Sequence, residues 1–398
     1  MFPPVFPFPR QSAPVLALEI LFWLCLGLIL WTHAGYGAAL AALARVLRSR
    51  EPARTATPLP PLSLIVAAHD EQAVIAVKVA NALALDYPRE LLEVIVSCDG
   101  CTDATAERAR EAGADLVIEL PRGGKIRAQD AAVQRARGEI VAFSDANALW
   151  APDAARALVG AFGEERVGYA CGQVRFLGPG DADGGDGAAN QEGVYWRYEL
   201  AIRTLESRLA SITAGNGAIY ATRRDSYIVV DPVMGHDLSL PFQMVKRGLR
   251  AVYVPGARAS EKMVPSIAGE FARKRRMMSH TWPILLRGGM LSPRGYPPGY
   301  ALMILSHRVI RYLTPALHAV ALAANVALIA AGGGALYVVA LALQLALLAG
   351  AAAAGVLPAR PLLLARYYVL TTASLAAGLW DCLRHGTAAS WEAAEGTR

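Results

Sequence analysis

Residues 93–105, EVIVSCDGCTDAT, decide how the chain is read. The run opens with β-branched residues and has the length of a buried strand. It stops at Cys98-Asp99-Gly100-Cys101, where two cysteines stand at C-x-x-C spacing. Such spacing serves a redox pair or half of a zinc site. No second C-x-x-C is present and no His lies at ligand spacing in the sequence, so zinc lacks support. A redox pair would fit at a helix start after a strand, but an Asp sits between the cysteines. A redox pair and incidental sulfur both stay open at this point, and the Asp99 carboxylate stands at the strand end.

The same grammar extends to both sides. LSLIVAA at 62–68 is a second strand, followed by a helical pattern at about 71–85. DATAERAREAG leads to ADLVIEL at 114–120, then to a helix around 125–137 and to EIVAFSDAN at 139–147. Strands alternating with helices predict an α/β domain with a mostly parallel sheet. Ligands of such sheets bind outside the C-terminal strand ends. That rule selects three loops, AAHDE, SCDGCTD and FSDAN, and each carries carboxylates. A nucleotide with a hard cation explains all three, because Mg²⁺ takes one or two carboxylates plus phosphate oxygens. Asp145 can supply one ligand, and Asn147, two residues on, projects to the same side. Asp99 can accept from a base or ribose, and Lys125, after two glycines, can counter phosphate charge. The chain has no G-x-x-x-x-G-K-[ST] loop, no G-x-G-x-x-G fingerprint and no EF-hand spacing, so ATPase, dehydrogenase and calcium-loop readings fall away.

The remainder is apolar. The 398 residues are 54% hydrophobic, with positive mean hydropathy, concentrated at 14–44 and beyond about 300. The first stretch is long enough to span a bilayer and longer than the ~7–15-residue core of a signal peptide. The net charge is +6, and Arg45, Arg48, Arg50, Arg54 and the run Arg273–Arg276 flank apolar segments. Anionic lipid is thus a better partner than nucleic acid, and the basic C-terminal flank of the first span puts the following domain in the cytoplasm. Five cysteines without a disulfide pattern fit a reducing compartment. Glu19 and His33, inside the first span, read as interface or helix-contact residues. Three further apolar stretches run at about 313–331, 335–356 and 362–383, the last either spanning or lying in the interface. Residues 262–290 mix basic and large apolar side chains, as in a helix on a membrane surface. The expected organisation is a tail at 1–13, a span at 14–47 and the α/β domain at 60–260. Interfacial helices follow at 261–312, two to three spans at 313–384 and a tail at 385–398.

The ordered motifs IVAAHDE, VIVSCDGCTDAT, GGKIRAQDAAVQRARGEIVAFSDAN, TAGNGAIYATRR, GHDLSLPFQMVKRGLRAVYVPGARASE and EFARKRRMMSHTW resemble membrane-bound family 2 glycosyltransferases of the GT-A fold. The likeness covers about residues 60–290. It implies a Rossmann-like GT-A domain in the cytosol between N-terminal and C-terminal transmembrane helices, in an integral inner-membrane protein. By this resemblance Ala67, Ala68 and Glu71 line the nucleobase pocket, Asp99 contacts the base and Lys125 lies near the nucleotide. Asp145 and Asn147 hold Mg²⁺ or Mn²⁺ in a D-A-N version of D-x-D. Gly215, Asn216 and Gly217 form a turn beneath sugar and acceptor, with His236 and Trp282 on the acceptor side. Asp237 stands where the family's general base stands, and Arg273 and Arg276 bind phosphate. The cysteines fall where the family commonly carries small polar residues.

Three departures shape the expected activity. His236 replaces the acidic neighbour of the base, D-A-N leaves one carboxylate at the metal, and the Q-x-x-R-W pattern of processive synthases is missing. The expectation is an inverting, metal-dependent transferase moving sugar from a nucleotide-sugar donor to a lipid-linked or membrane-proximal saccharide acceptor. A processive, exporting synthase and an inactive membrane scaffold are the alternatives. GPGDADGGDG at 178–187 reads as an acidic lid, and Glu192 as a residue near the acceptor.

Overall fold

The computed structural model describes residues 13–47, 58–177, 191–262, 267–357 and 359–389, with backbone alone at 191–194 and 267–270. The expected lid at 178–187 and the Glu192 side chain lie outside the described residues. The chain divides into two compact units, Met1–Ala38 with Ser306–Ala376, and Ala39–Leu305 with Ala377–Arg398.

The second unit is built on eight strands: β1 Leu62–Ala68, β2 Leu92–Asp99, β3 Leu116–Leu120, β4 Ile140–Asp145, β5 Leu149–Trp150, β6 Val167–Leu177, β7 Tyr220–Arg223 and β8 Arg250–Lys262. They form one sheet in the order β3-β2-β1-β4-β7-β6-β8-β5. The pairings of β1 with β2 and β4, and of β2 with β3, are parallel, as the helix-separated strands require. Antiparallel β7 then joins β4 to β6, so the sheet is mixed beyond its nucleotide-type half. Every residue of β1 and β2 is buried, which explains why these strands read as continuous apolar runs. The one acidic side chain among them short of the strand end, Glu93, accepts from Ser63 Oγ at 2.5 Å and from Arg137 Nε at 2.7 Å. Its burial is thereby matched by hydrogen bonds. One face of the sheet packs Leu64, Val94, Trp150 and Leu158 into a core, and the other packs Ile65, Ile95, Phe143 and Tyr220.

The first unit holds apolar helices. Among the described residues, three helices can cross a membrane by length and composition: Ala13–Val46, Ala335–Ala353 and Arg360–His385. Thr314–Ala330 adds a fourth when taken with Pro298–Tyr312, from which it is bent by 64°. The first helix widens into a π turn at Trp31–Gly35. There the Thr32 carbonyl accepts from Arg311 at 2.8 Å, while Thr32 Oγ1 donates to the Ser306 carbonyl at 2.8 Å. Glu19 accepts from Tyr337 and His33 meets Tyr368, so these two side chains face neighbouring helices.

Candidate active site

Parallel pairing brings the strand ends together. Ala67 is in register with Asp145 and Ala68 with Cys98, so the loops after β1, β2 and β4 open side by side. Asp99, the last residue of β2, is 1% exposed. Its carboxylate accepts from the backbone N–H of Gly123 at 2.6 Å and of Gly124 at 2.9 Å. Asp99, which the resemblance places at the base, thereby also holds the loop after β3. Gly124 adopts φ 96°, and the space a side chain would take is filled by the Ala389 carbonyl. Only glycine suits both demands.

Gly124 leads into the helix Lys125–Val133, whose first residue reaches across to Asp145. Lys125 Nζ donates to Asp145 Oδ1 in a largely buried ion pair. Burial opposes the lysine's charge, but the carboxylate of Asp145, joined by those of Asp237 and Glu261, outweighs it and raises the pKa. A Cβ placed on Gly217 would lie 3.4 Å from Lys125 Nζ and 3.8 Å from Asp145 Oδ2. The glycine turn therefore leaves open the volume beside this pair.

That turn is tightly tied. Gly215 N–H donates to the Asp237 carbonyl at 2.7 Å, and Arg203 donates to the Gly215 carbonyl at 3.1 Å. The Asn216 amide donates to Gly172 O at 2.7 Å and accepts from Ala218 and Ile219 N–H, so Asn216 shapes the turn. Asp237 sits in the first turn of the helix His236–Lys246, behind an extended Gly235 that occupies the N-cap. Burial raises its carboxyl above the ordinary range, against the pull of Lys125. A carboxylate with a raised pKa beside a cation is suited to accepting a proton.

His236 departs from expectation. It is 2% exposed, with Nδ1 on Tyr220 Oη at 2.8 Å and Nε2 on Tyr227 Oη at 3.2 Å. Burial drives its pKa down to about 3. Both nitrogens are committed inside the core, so His236 is a packing residue and not an acceptor contact. Ala67 and Ala68 are fully enclosed by the neighbouring strands and offer no side-chain surface to a base. Glu71 is 4% exposed, its N–H donating to Thr105 Oγ1 at 2.8 Å. Trp282 is buried in the helix Ile267–Leu286. Arg273 of that helix stacks its guanidinium 5.9 Å from the Phe176 ring and exerts its charge on Glu261. Arg276 occupies the next turn, where its carbonyl accepts from Ser279.

Two residues escaped the sequence reading. β5 follows the D-A-N loop directly and pairs antiparallel with β8, Leu149 against Ser260. Glu261, one residue further, is thereby carried to the Asp145 loop. Burial and then the Asp145 charge push its pKa up to about 7, and its Oε1 is buried with no hydrogen-bond partner. A buried carboxylate oxygen without a hydrogen-bond partner, beside a second carboxylate, is a donor of the type a hard cation takes. The donor set of Asp145, Asn147 and Glu261 thus fits Mg²⁺ or Mn²⁺. Beneath it Lys78, 0% exposed, donates from Nζ to Ala148 O at 2.7 Å and lies 5.3 Å from the Trp150 ring. Asn81, on the same helix, exchanges two hydrogen bonds with the Trp150 backbone. The helix Ile75–Leu83 therefore clamps the loop that carries Asp145.

Comparison with known proteins agrees with this architecture. Residues 60–279, more than half of the chain, match the family model described as glycosyltransferase like family 2. A β-monoglucosyldiacylglycerol synthase of Nostoc sp. is 38% identical over 117 residues, 28% of this chain and 25% of the relative. An N-acetylglucosaminyltransferase of Mesorhizobium japonicum is 26% identical over 247 residues, 55% of each chain. The chain thus spans between a quarter and about half the length of these curated relatives. Among solved structures, mannosyltransferase PcManGT from Pyrobaculum calidifontis, in complex with GDP-Man and Mn²⁺, superposes with a TM-score of 0.67 at 23% identity. That likeness covers 92% of this chain and 99% of the other.

Proposed function

The chain belongs to glycosyltransferase family 2, and from that premise we propose an inverting transfer of sugar from a nucleotide-sugar donor to a lipid-linked or membrane-proximal saccharide acceptor. The observation that supports it most is the convergence of Asp145, Asp237 and Glu261 around Lys125, beside a turn kept open by Gly217. The donor's base end is assigned to the loops after β1 and β2, near Glu71 and Asp99. Its diphosphate is assigned to Lys125, with Arg273 and Arg276 as further phosphate contacts. The glycolipid synthase relative supports a lipid-linked acceptor, and the Mn²⁺ and GDP-Man of the mannosyltransferase support the donor class. The apolar helices and the arginines after the first of them support an integral membrane protein with its catalytic unit on the cytoplasmic side.

In this mechanism the acceptor oxygen attacks the anomeric carbon while Asp237 takes its proton, and the bond from that carbon to the diphosphate oxygen breaks. Nucleoside diphosphate leaves with the bonding electrons, and the configuration inverts. Asp145, Asn147 and Glu261 would hold the cation, which when bound neutralises charge developing on the diphosphate. Lys125 adds a second positive charge to the same oxygens once it exchanges Asp145 for phosphate. General-base catalysis of this type contributes about 10²–10⁴-fold.

The test is to offer purified full-length protein in detergent a panel of nucleotide sugars and to measure nucleoside diphosphate release. Turnover with one donor, dependent on Mg²⁺ or Mn²⁺ and transferring to a lipid extract, is expected. Turnover indifferent to chelator would remove the cation from the mechanism, and silence with every donor and acceptor lipid would remove the transferase reading.

A further inference from the structure

The C-x-x-C stretch gains a partner that its sequence does not display. Because β1 and β2 are parallel with Ala68 opposite Cys98, the residues just past both strand ends lie together. His69, Asp70 and Cys101 place one ring nitrogen, one carboxylate oxygen and one sulfur within 4.8 Å of one another. All three are partly exposed, at the open end of the sheet.

The histidine is oriented as metal-binding histidines are. Its Nδ1 is 2.8 Å from the Asp99 carbonyl, which can only accept, so Nδ1 carries the hydrogen. In the neutral ring the lone pair is then on Nε2, and Nε2 faces Asp70 Oδ2 at 3.6 Å. A hydrogen bond from the far ring nitrogen to a backbone carbonyl is the usual outer support of a ligating imidazole. Asp70 is the one non-glycine described residue at positive φ, 50°, where Thr102 N–H holds its Oδ1 at 2.7 Å. Its second oxygen accepts from Thr102 Oγ1 at 3.2 Å and faces the ring. Cys101 directs its thiol to the Ala68 carbonyl at 3.5 Å, and loss of that proton leaves a thiolate in the same space.

We propose that His69, Asp70 and Cys101 form a second cation site, selective for a borderline-soft divalent ion such as Zn²⁺, separate from the oxygen-ligand site at Asp145. Imidazole and thiolate donors select this class over Mg²⁺. Three protein ligands leave a fourth position open to water or an incoming ligand. Zinc bonds of about 2.0–2.3 Å require these donors to close in by roughly an ångström, within the reach of side-chain rotation. Binding displaces the thiol proton to solvent, so uptake of the ion is accompanied by proton release. Through the His69–Asp99 bond the ion stiffens the carboxylate that holds Gly123 and Gly124. The site lies on the two strand-end loops assigned to the donor's base, and its cobalt and melting readouts do not depend on turnover.

Co²⁺ is the probe, added to reduced full-length protein in detergent with excess Mg²⁺ present. The proposal predicts a thiolate-to-cobalt charge-transfer absorption in the near ultraviolet. It should be lost in Cys101→Ser and His69→Ala and retained in Cys98→Ser and Cys382→Ser. Zn²⁺ should raise the melting temperature of the wild type but not of Asp70→Asn, whose unliganded melting temperature reports its folding. No absorption in the wild type, or absorption that survives Cys101→Ser, overturns the proposal, as does its loss in Cys98→Ser.

Discussion

Lys78→Met is the most demanding test of how the candidate site is supported. Lys78 is fully enclosed, with its charge facing the Ala148 carbonyl, the Trp150 ring and, at longer range, the carboxylates of Asp145 and Glu261. Burial drives its pKa down from 10.5 to about 7, against the pull of both carboxylates. A lysine so held binds its proton about 5 kcal/mol more weakly in the folded protein than in the unfolded chain. The folded pKa is depressed, so the stability tied to this group is complete above about 10.5 and is lost as pH falls toward 7. Between pH 8 and 9.5 the wild type should gain about 2 kcal/mol relative to Lys78→Met, at roughly 1.4 kcal/mol per pH unit. The methionine fills the same volume but leaves Ala148 O unpaired, a cost of about 1–3 kcal/mol that does not vary with pH. Denaturant unfolding of both proteins in one detergent at the two pH values measures the difference. A stability gap that is the same at pH 8 and pH 9.5 would refute a buried, depressed Lys78.

Glu261→Gln keeps the volume and removes the charge, so the Mn²⁺ concentration for half-maximal binding, read by electron paramagnetic resonance, should rise about tenfold or more. An unchanged value would take Glu261 out of the cation site. His236 should show no imidazole titration by NMR between pH 5 and 8, because its pKa lies near 3. With its pKa depressed, its contribution to stability is present above about 6.5 and falls by about 1.4 kcal/mol per pH unit as pH drops toward 3. Gly215→Ala places a methyl on the Tyr169 hydroxyl, so it should lower the melting temperature by several degrees and cut turnover; wild-type melting would contradict the packing.

Much of the fold was legible because β1, β2 and β4 are short, β-branched and punctuated by Asp or Gly, so each strand end announced itself. Asp145 and Lys125 followed from position alone, one ending a strand and the other starting a helix after two glycines. The apolar helices were legible by length, and Arg360–His385, left open by its polar residues, is long and apolar enough to cross a membrane. Glu261 was not legible, since its approach to Asp145 depends on pairing between strands 111 residues apart. Nothing in AVKVANAL marks Lys78, and only the Ala148 carbonyl, 70 residues away in sequence, explains its burial. The same cause hid His69 from Cys101, which strand register brings together. His236 looked functional from its neighbour Asp237, but successive residues of a helix point about 100° apart, and this one points into the core.

Asp237 is proposed as the base of a sugar transfer organised by Asp145 and Glu261. Asp237→Asn is nearly isosteric and keeps the backbone bond from Gly215 to residue 237. With an accepted donor, this variant should bind nucleoside diphosphate and Mn²⁺ as the wild type does while turnover falls about 10²–10⁴-fold. Turnover within a few-fold of wild type, with the fold intact, would contradict the account.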